Sequence, residues 1–138
     1  MADMQQLKIL DLLHNPDFYL FGFENGDALF LRMNRATYGQ SIFFDGRIVT
    51  LDDNLIRIPM ALLLALPPEA AAAIRFGWIF HMAHTGSTLL SRALDRPGKT
   101  LVIREPMTLR ALGVEAAASR KDRLAADGWG ERLHLALA

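Results

Sequence analysis

A small, hydroxyl-rich loop in the middle of the chain contains the residues best suited to chemistry. Thr85-Gly86-Ser87-Thr88, the glycine loop, directly precedes the run LLSRAL, whose leucines recur at helical spacing. A loop that binds phosphate needs small residues, so that backbone N–H groups can converge on the anion, and hydroxyl groups add further donors. A helix that begins at once contributes the positive end of its dipole. The loop is therefore predicted to bind a phosphate-like anion, with plain architecture as the alternative.

Three side chains near the glycine loop have the right chemistry to act on such an anion or its partner. His84 precedes the loop. It would either supply a positive charge to the bound anion or be an ordinary surface histidine. Arg92 lies one turn beyond Thr88, where its guanidinium would either form bidentate hydrogen bonds with phosphate oxygens or face solvent. Glu105 would act as a general base toward a hydroxyl or amine. Its alternatives are an ion pair with Arg104 or a cap on the next helix.

Two apolar runs on either side of the loop must position these residues. Phe76 to Met82 is rich in aromatic and branched residues, as a buried strand would be, and Thr100 to Ile103 is a second run of this kind. Strand, glycine loop, helix and strand form the βαβ unit that binds phosphate at a helix N-terminus. Glu105 then follows the carboxyl end of a strand, where open α/β sheets bind ligands. We predict an α/β fold in which residues 76–138 form a P-loop-like unit.

Several reaction classes are disfavoured by what the loop lacks. The triphosphate-binding pattern G-x-x-x-x-G-K-[ST] is not matched, because position 81 is His and no Lys follows Gly86. This argues against an ATPase or kinase, whose Lys reaches the β- and γ-phosphates. No Asp/Glu–His pair lies near Ser87 or Thr88 to activate a nucleophile. The chain has no cysteine, which excludes disulfides, thiolate metal sites and cysteine nucleophiles.

The segments HTGSTLLSRALD and VIREP together resemble the sulfotransferase family, most closely its bacterial and tyrosylprotein-sulfotransferase-like branches. Those enzymes transfer a sulfuryl group from 3′-phosphoadenosine 5′-phosphosulfate and use no metal. The resemblance implies that the glycine loop, with His84 and Arg92, binds the 5′-phosphosulfate, that His84 also assists catalysis, and that Glu105 is the catalytic base. His84 stands where the family usually has Lys or Arg. The family's 3′-phosphate site has no recognisable counterpart in this chain.

The first part of the chain, residues 1–75, is predicted to be a separate region built around an antiparallel meander. Residues 4–13 have the spacing of a short amphipathic helix, which Asn15-Pro16 should end. Residues 17–51 contain four aromatic or apolar runs, separated by Asp45-Gly46 and by Asn25-Gly26, the strongest short hairpin signal. These runs, which include Gln40 to Phe44 and Arg47 to Leu51, predict about four strands.

Further helices are predicted after the meander and after the second apolar run. Pro59 should open a helix over MALLLAL, and Glu69 to Arg75 should form a short alanine-rich helix. Pro106 should open another helix that continues to about Ala126. A turn at residues 127–130 should then precede a last helix that begins at Glu131.

The composition indicates an ordered protein without a strong net charge. Of the 138 residues, 51% are hydrophobic and 22% are charged, and the formal net charge is zero. Neither nucleic acid nor an anionic membrane is therefore predicted as a partner. The first residues do not resemble a signal peptide, and the run from Ile58 to Leu66 is far shorter than the about 20 residues of a membrane span. We expect a cytoplasmic protein.

The predicted βαβ unit needs more strands than the sequence supplies. No further strand follows Ile103, whereas a doubly wound sheet needs more than two parallel strands. We therefore expect residues outside this chain, or a partner chain, to complete the sheet. The alternative hypothesis is a non-catalytic interaction module or inactive remnant, in which the loop is vestigial and the edges of the meander pair with a partner or a second copy. A nucleotide-kinase relative is a third, weaker option.

Overall fold

The computed structural model describes residues 9–41, 43–44, 55–67, 77–82, 85–118 and 128–137. These residues form helices and the three strands of one antiparallel sheet. The elements are α1 (the described part, residues 9–14), β1 (Phe18–Glu24), β2 (Asp27–Arg32), α2 (Arg35–Gln40), β3 (Leu55–Pro59), α3 (Met60–Leu64), α4 (Ser87–Leu94), α5 (Met107–Ala118) and α6 (Trp129–Leu137).

The predicted hairpin at Asn25-Gly26 is confirmed. Both residues have positive φ, 52° and 85°, as the two central residues of a tight type I′ turn require. The turn joins β1 to β2 as antiparallel neighbours. Their pairing shifts between Leu20 and Gly22, so Phe21 is an extra residue that bends β1.

The third strand forms later in the chain than the sequence predicts. β3 pairs antiparallel with β2, which gives the strand order β1-β2-β3. The prediction of a strand from Gln40 to Phe44 is wrong, because Gln40 ends helix α2 and the described residues that follow it are not in a strand. Asn34 favours that helix, since its side chain accepts a hydrogen bond from the Thr37 N–H at 2.9 Å. The predicted strand at 47–51 lies outside the described residues.

Apolar side chains cover both faces of the sheet. One face packs against α1, α3 and α6, and the buried residues there are Ile9, Ala28, Phe30, Leu63 and Leu135. The buried residues on the other face are Tyr19, Leu31, Met33, Tyr38 and Phe44. Because successive side chains of a strand point to opposite faces, β1 and β2 contribute to both clusters. Among the described residues, most of the buried hydrophobic side chains therefore belong to the N-terminal region, residues 1–75.

Proline marks helix boundaries as predicted. The described part of α1 stops before Asn15-Pro16, and α3 begins directly after Pro59. α5 begins directly after Pro106 and is described as far as Ala118. The predicted helix at 69–75 lies outside the described residues. α6 begins at Trp129, earlier than predicted, after the left-handed Gly128.

The strands predicted around the glycine loop do not form in the described residues. Residues 77–82, the apolar segment, have no regular secondary structure, and Thr100 makes only an isolated antiparallel bridge to Arg96. Phe80 is 91% exposed and Met82 is 77% exposed. A strand of this composition is stable when neighbouring strands and helices cover it, and no described strand pairs with it here. Of the predicted βαβ unit, helix α4 forms as expected.

None of the helices within the described ranges is long and apolar enough to span a bilayer.

Candidate anion-binding site

Gly86 is the residue directly before helix α4, and its backbone is left-handed, with φ 78° and ψ 14°. Glycine adopts this conformation without the steric cost that a Cβ atom brings. The N–H groups of Leu89 and Leu90 both donate to the Gly86 carbonyl, at 3.0 and 3.1 Å. No side chain caps the helix, and the N–H groups of Ser87 and Thr88 have no acceptor in the described part of the chain. The start of α4 therefore presents free donors and the positive end of the helix dipole.

The hydroxyl groups of the glycine loop differ in their bonding. Thr85 is exposed, and its Oγ1 donates to the Met82 carbonyl at 2.8 Å, which ties the loop to the apolar segment. Ser87 and Thr88 are half-buried. The Thr88 carbonyl accepts from Ser91 Oγ at 2.9 Å, within α4. The Ser87 hydroxyl makes no hydrogen bond to a described residue, so it is a further candidate donor beside the Ser87 N–H group.

Of the two predicted cationic residues, Arg92 lies among the described residues. Arg92 lies in the last turn of α4 and is exposed, without an ion pair to any described residue. It is four residues beyond Thr88, so the two share a helix face and lie about 6 Å apart along the axis. The Cα–Cβ bonds of a helix tilt toward its N-terminus, so a side chain as long as that of Arg92 can reach back toward the loop. His84 lies outside the described residues.

An open cleft adjoins the glycine loop. Its volume is about 550 Å³, and it opens widely to solvent. Apolar side chains predominate in its lining, which consists of Ile79, Phe80, His81, Met82, Thr85, Ser87 and Leu90. The structure thus places two residues of the predicted anion site beside an apolar surface.

Glu105 is exposed, and neither of its predicted structural roles is observed. Arg104 does not pair with it, since Arg104 Nη2 instead donates to the main-chain carbonyls of Tyr38, at 2.9 Å, and Ser41. None of the described N–H groups of α5 donates to the Glu105 carboxylate. Among the described residues, the Glu105 carboxylate has no ion-pair partner.

The backbone at Glu105 is strained. Its φ is 47°, in the left-handed region that side chains with a Cβ rarely adopt, and a proline follows. Such a conformation costs of the order of 1–3 kcal/mol and persists only where the surrounding structure imposes it. Phe44 imposes it from both sides, because its N–H donates to the Arg104 carbonyl at 2.9 Å and its carbonyl accepts from the Met107 N–H at 2.8 Å.

Two residues that the sequence did not single out organise this part of the chain. The Tyr19 hydroxyl donates to the Phe44 carbonyl at 3.0 Å and accepts from the Met107 N–H at 3.1 Å. Asp95 Oδ1 accepts from Arg35 Nη2 at 2.7 Å and from the Val102 N–H at 3.1 Å, which joins the end of α4 to the segment before Glu105. A tyrosine in an apolar run suggests a buried hydroxyl that needs a partner, but the sequence does not identify that partner.

Burial raises the pKa of Tyr38 well above its usual range, and the neighbouring Tyr19 and Asp17 raise it further. Tyr38 packs against Phe44 with ring centroids 5.3 Å apart, and Tyr19 packs on the same ring at 5.6 Å. Both tyrosines thus pack on Phe44, the residue whose main chain bonds to both ends of the turn that carries Glu105.

Within the part of the chain that the structure describes, no three His, Asp or Glu side chains converge in a way that would hold a metal ion.

No protein-family model matches the chain, and neither a curated protein nor a solved structure matches it.

Proposed function

We propose that this chain is the donor-binding part of a sulfotransferase-like protein, which transfers a sulfuryl group from 3′-phosphoadenosine 5′-phosphosulfate to a hydroxyl or amine acceptor. The observation that carries the proposal is the left-handed Gly86 directly before α4, where the N–H groups of Ser87 and Thr88 have no acceptor among the described residues. This arrangement suits a phosphate or sulfate group. The absence of a Lys after Gly86 favours a sulfuryl donor over a nucleoside triphosphate.

The proposed reaction needs positioning and charge stabilisation rather than a metal. The acceptor oxygen or nitrogen bonds to sulfur while the bond from sulfur to the bridging oxygen breaks, which releases 3′-phosphoadenosine 5′-phosphate. The backbone N–H groups of the glycine loop, with His84 or Arg92, would stabilise the charge that develops on the bridging oxygen. Glu105 would take the proton of the acceptor.

The exposed apolar segment supports a P-loop-like unit whose neighbouring strands are not among the described residues. Ile79, Phe80 and Met82 belong to a near-continuous apolar run, which is typical of a parallel strand buried on both faces. Such a run would be exposed in the absence of neighbouring strands. We propose that the segment becomes a strand once the sheet is completed.

Isothermal calorimetry with 3′-phosphoadenosine 5′-phosphate tests the donor site. We expect binding by the wild-type chain and a loss of about tenfold or more in affinity for Gly86→Val, because the new side chain occupies the space of the anion. Gly98→Val is the matched control. Gly98 also has positive φ, at 71°, and open space around its Cβ position, so its replacement brings similar strain outside the loop.

Two outcomes would remove the proposal. The first is no binding at millimolar ligand by wild-type protein whose circular dichroism spectrum shows it to be folded. The second is equal affinity in Gly86→Val and Gly98→Val, which would place the anion elsewhere.

A non-catalytic interaction module is the second candidate. The observation that favours it is the exposure of large apolar side chains next to the loop, with Leu89 75% exposed in addition to Phe80 and Met82. This candidate predicts self-association or partner binding that is indifferent to the nucleotide. Sedimentation velocity measures the self-association. The calorimetry with 3′-phosphoadenosine 5′-phosphate separates the two candidates, because only the donor-binding proposal requires the nucleotide to bind.

A further inference from the structure

We propose that Tyr19 is a positioning residue, whose hydroxyl holds Glu105 in the left-handed conformation that leaves its carboxylate free for the acceptor. The proposal rests on the proposed function for the role of the carboxylate. The conformation itself is independent of that role.

The hydroxyl of Tyr19 lies where the turn closes. The turn from Arg104 to Met107 is clamped at both ends by the main chain of Phe44, and Glu105 and Pro106 lie between the two hydrogen bonds. The Phe44 carbonyl and the Met107 N–H are bonded to each other at one of those ends, and the Tyr19 hydroxyl bonds to both groups. Its loss would remove two of the hydrogen bonds that fix the turn.

Tyr19 is well placed to fix the turn because it is buried and lies on a paired strand. It is 4% exposed and belongs to strand β1, where it pairs with Leu31 of β2. A buried side chain on a paired strand has little freedom to follow a moving turn. The turn must therefore adapt to the hydroxyl.

The same turn directs the guanidinium of Arg104, the residue before Glu105 in the sequence, to main-chain carbonyls instead of the Glu105 carboxylate. Arg104 lies directly before Glu105, yet its guanidinium donates to the carbonyls of Tyr38 and Ser41 and lies 5.9 Å from the centre of the Phe44 ring. A base that is paired with its neighbour would be a poorer proton acceptor. The arrangement of the turn thus separates two oppositely charged neighbours in the sequence.

Tyr38 provides a matched control. It is buried to the same extent as Tyr19 and packs on the same phenylalanine ring. Its hydroxyl makes no hydrogen bond to the turn. Tyr38→Phe therefore alters the aromatic cluster but removes no hydrogen bond to the turn that carries Glu105.

Nuclear magnetic resonance on the 138-residue chain tests the proposal directly. The intraresidue Hα–HN Overhauser effect and the HN–Hα coupling constant report the sign of φ at Glu105. We expect positive φ in the wild type and in Tyr38→Phe, and a shift toward negative φ in Tyr19→Phe. Positive φ retained in Tyr19→Phe, or negative φ in the wild type, would overturn the proposal.

A second measurement decides the matter if Tyr19→Phe does not fold. In the wild-type chain, a hydrogen-bonded Tyr19 hydroxyl proton should exchange slowly with water and show an Overhauser effect to the Met107 N–H. Rapid exchange with no such effect would contradict the proposal.

Donor binding keeps this inference distinct from the proposed function. We expect 3′-phosphoadenosine 5′-phosphate to bind wild type and Tyr19→Phe with equal affinity, because the glycine loop is unchanged. Sulfuryl transfer to a phenol or a primary amine should fall about tenfold in kcat for Tyr19→Phe, with the donor KM unchanged. A wild-type chain that binds no nucleotide would remove the proposed function, and the sign of φ at Glu105 would still decide whether Tyr19 positions it.

Discussion

The main chains of Phe44 and Arg104, sixty residues apart in sequence, are joined by a hydrogen bond of 2.9 Å from the Phe44 N–H to the Arg104 carbonyl. Phe44 is fully buried, and the Arg104 guanidinium lies over its ring. Through this pair the packed N-terminal sheet and its cluster of aromatic residues hold the turn that presents Glu105. The candidate site therefore depends on both parts of the chain.

Replacement of Arg104 should destabilise the protein more than replacement of an exposed arginine. Arg104→Ala removes one hydrogen bond from each of the carbonyls of Tyr38 and Ser41, and we expect a loss of about 2 kcal/mol in the free energy of unfolding. Arg57→Ala is the control, because its pair with Glu24 is half-exposed and should contribute less than about 1 kcal/mol. Urea denaturation of both variants measures the difference. Equal losses would contradict the role assigned to Arg104.

Asp95 and Arg35 should be energetically coupled. Their contact of 2.7 Å is partly buried, and Asp95 also accepts from the Val102 N–H. A double-mutant cycle with Arg35→Ala and Asp95→Ala should give a coupling free energy of about 1 kcal/mol, since burial reduces screening. The same cycle on the more exposed Arg57 and Glu24 should give less. A larger coupling in the second pair would show that burial does not decide the strength of these contacts.

Glu105→Gly should stabilise the fold. Glycine adopts a φ of 47° without steric cost, whereas glutamate does not. We expect a gain of up to about 1 kcal/mol in the free energy of unfolding, because the greater freedom of glycine in the unfolded chain offsets part of the relief. Glu105→Ala, which keeps the Cβ atom, should change stability little. A clear loss of stability in Glu105→Gly would mean that the native backbone is not strained there.

Tyr38 should make stability fall at alkaline pH. Its pKa is raised in the folded state, by burial first and then by Tyr19 and Asp17, so the unfolded chain loses this proton at lower pH than the folded chain does. The contribution of Tyr38 to the free energy of unfolding is fully present below the unfolded-state pKa of about 10. It is lost as pH rises above that pKa, at up to about 1.4 kcal/mol per pH unit. Tyr38→Phe should be less sensitive to pH in this window. Urea denaturation between pH 9 and about 11 checks this, and parallel curves would contradict it.

The local features of the chain were predictable because short-range chemistry decides them. Asn25-Gly26 specifies a tight turn, Pro59 and Pro106 precede helices, and Gly86 directly precedes helix α4. In each case the preferred backbone angles of one or two residues suffice. The sequence by itself therefore determined where the hairpin, several helix boundaries and the candidate anion-binding loop lie.

The tertiary structure decided which apolar runs become strands and how Glu105 is held. The apolar segment has a strand-like composition but no described partner, whereas Leu55–Pro59 pairs with β2 and becomes β3. A strand needs hydrogen bonds from a neighbour, and no spacing within one segment shows whether that neighbour exists. The contacts of Tyr19 and Phe44 with the turn at Glu105 join residues far apart in sequence, so only the folded chain could show them.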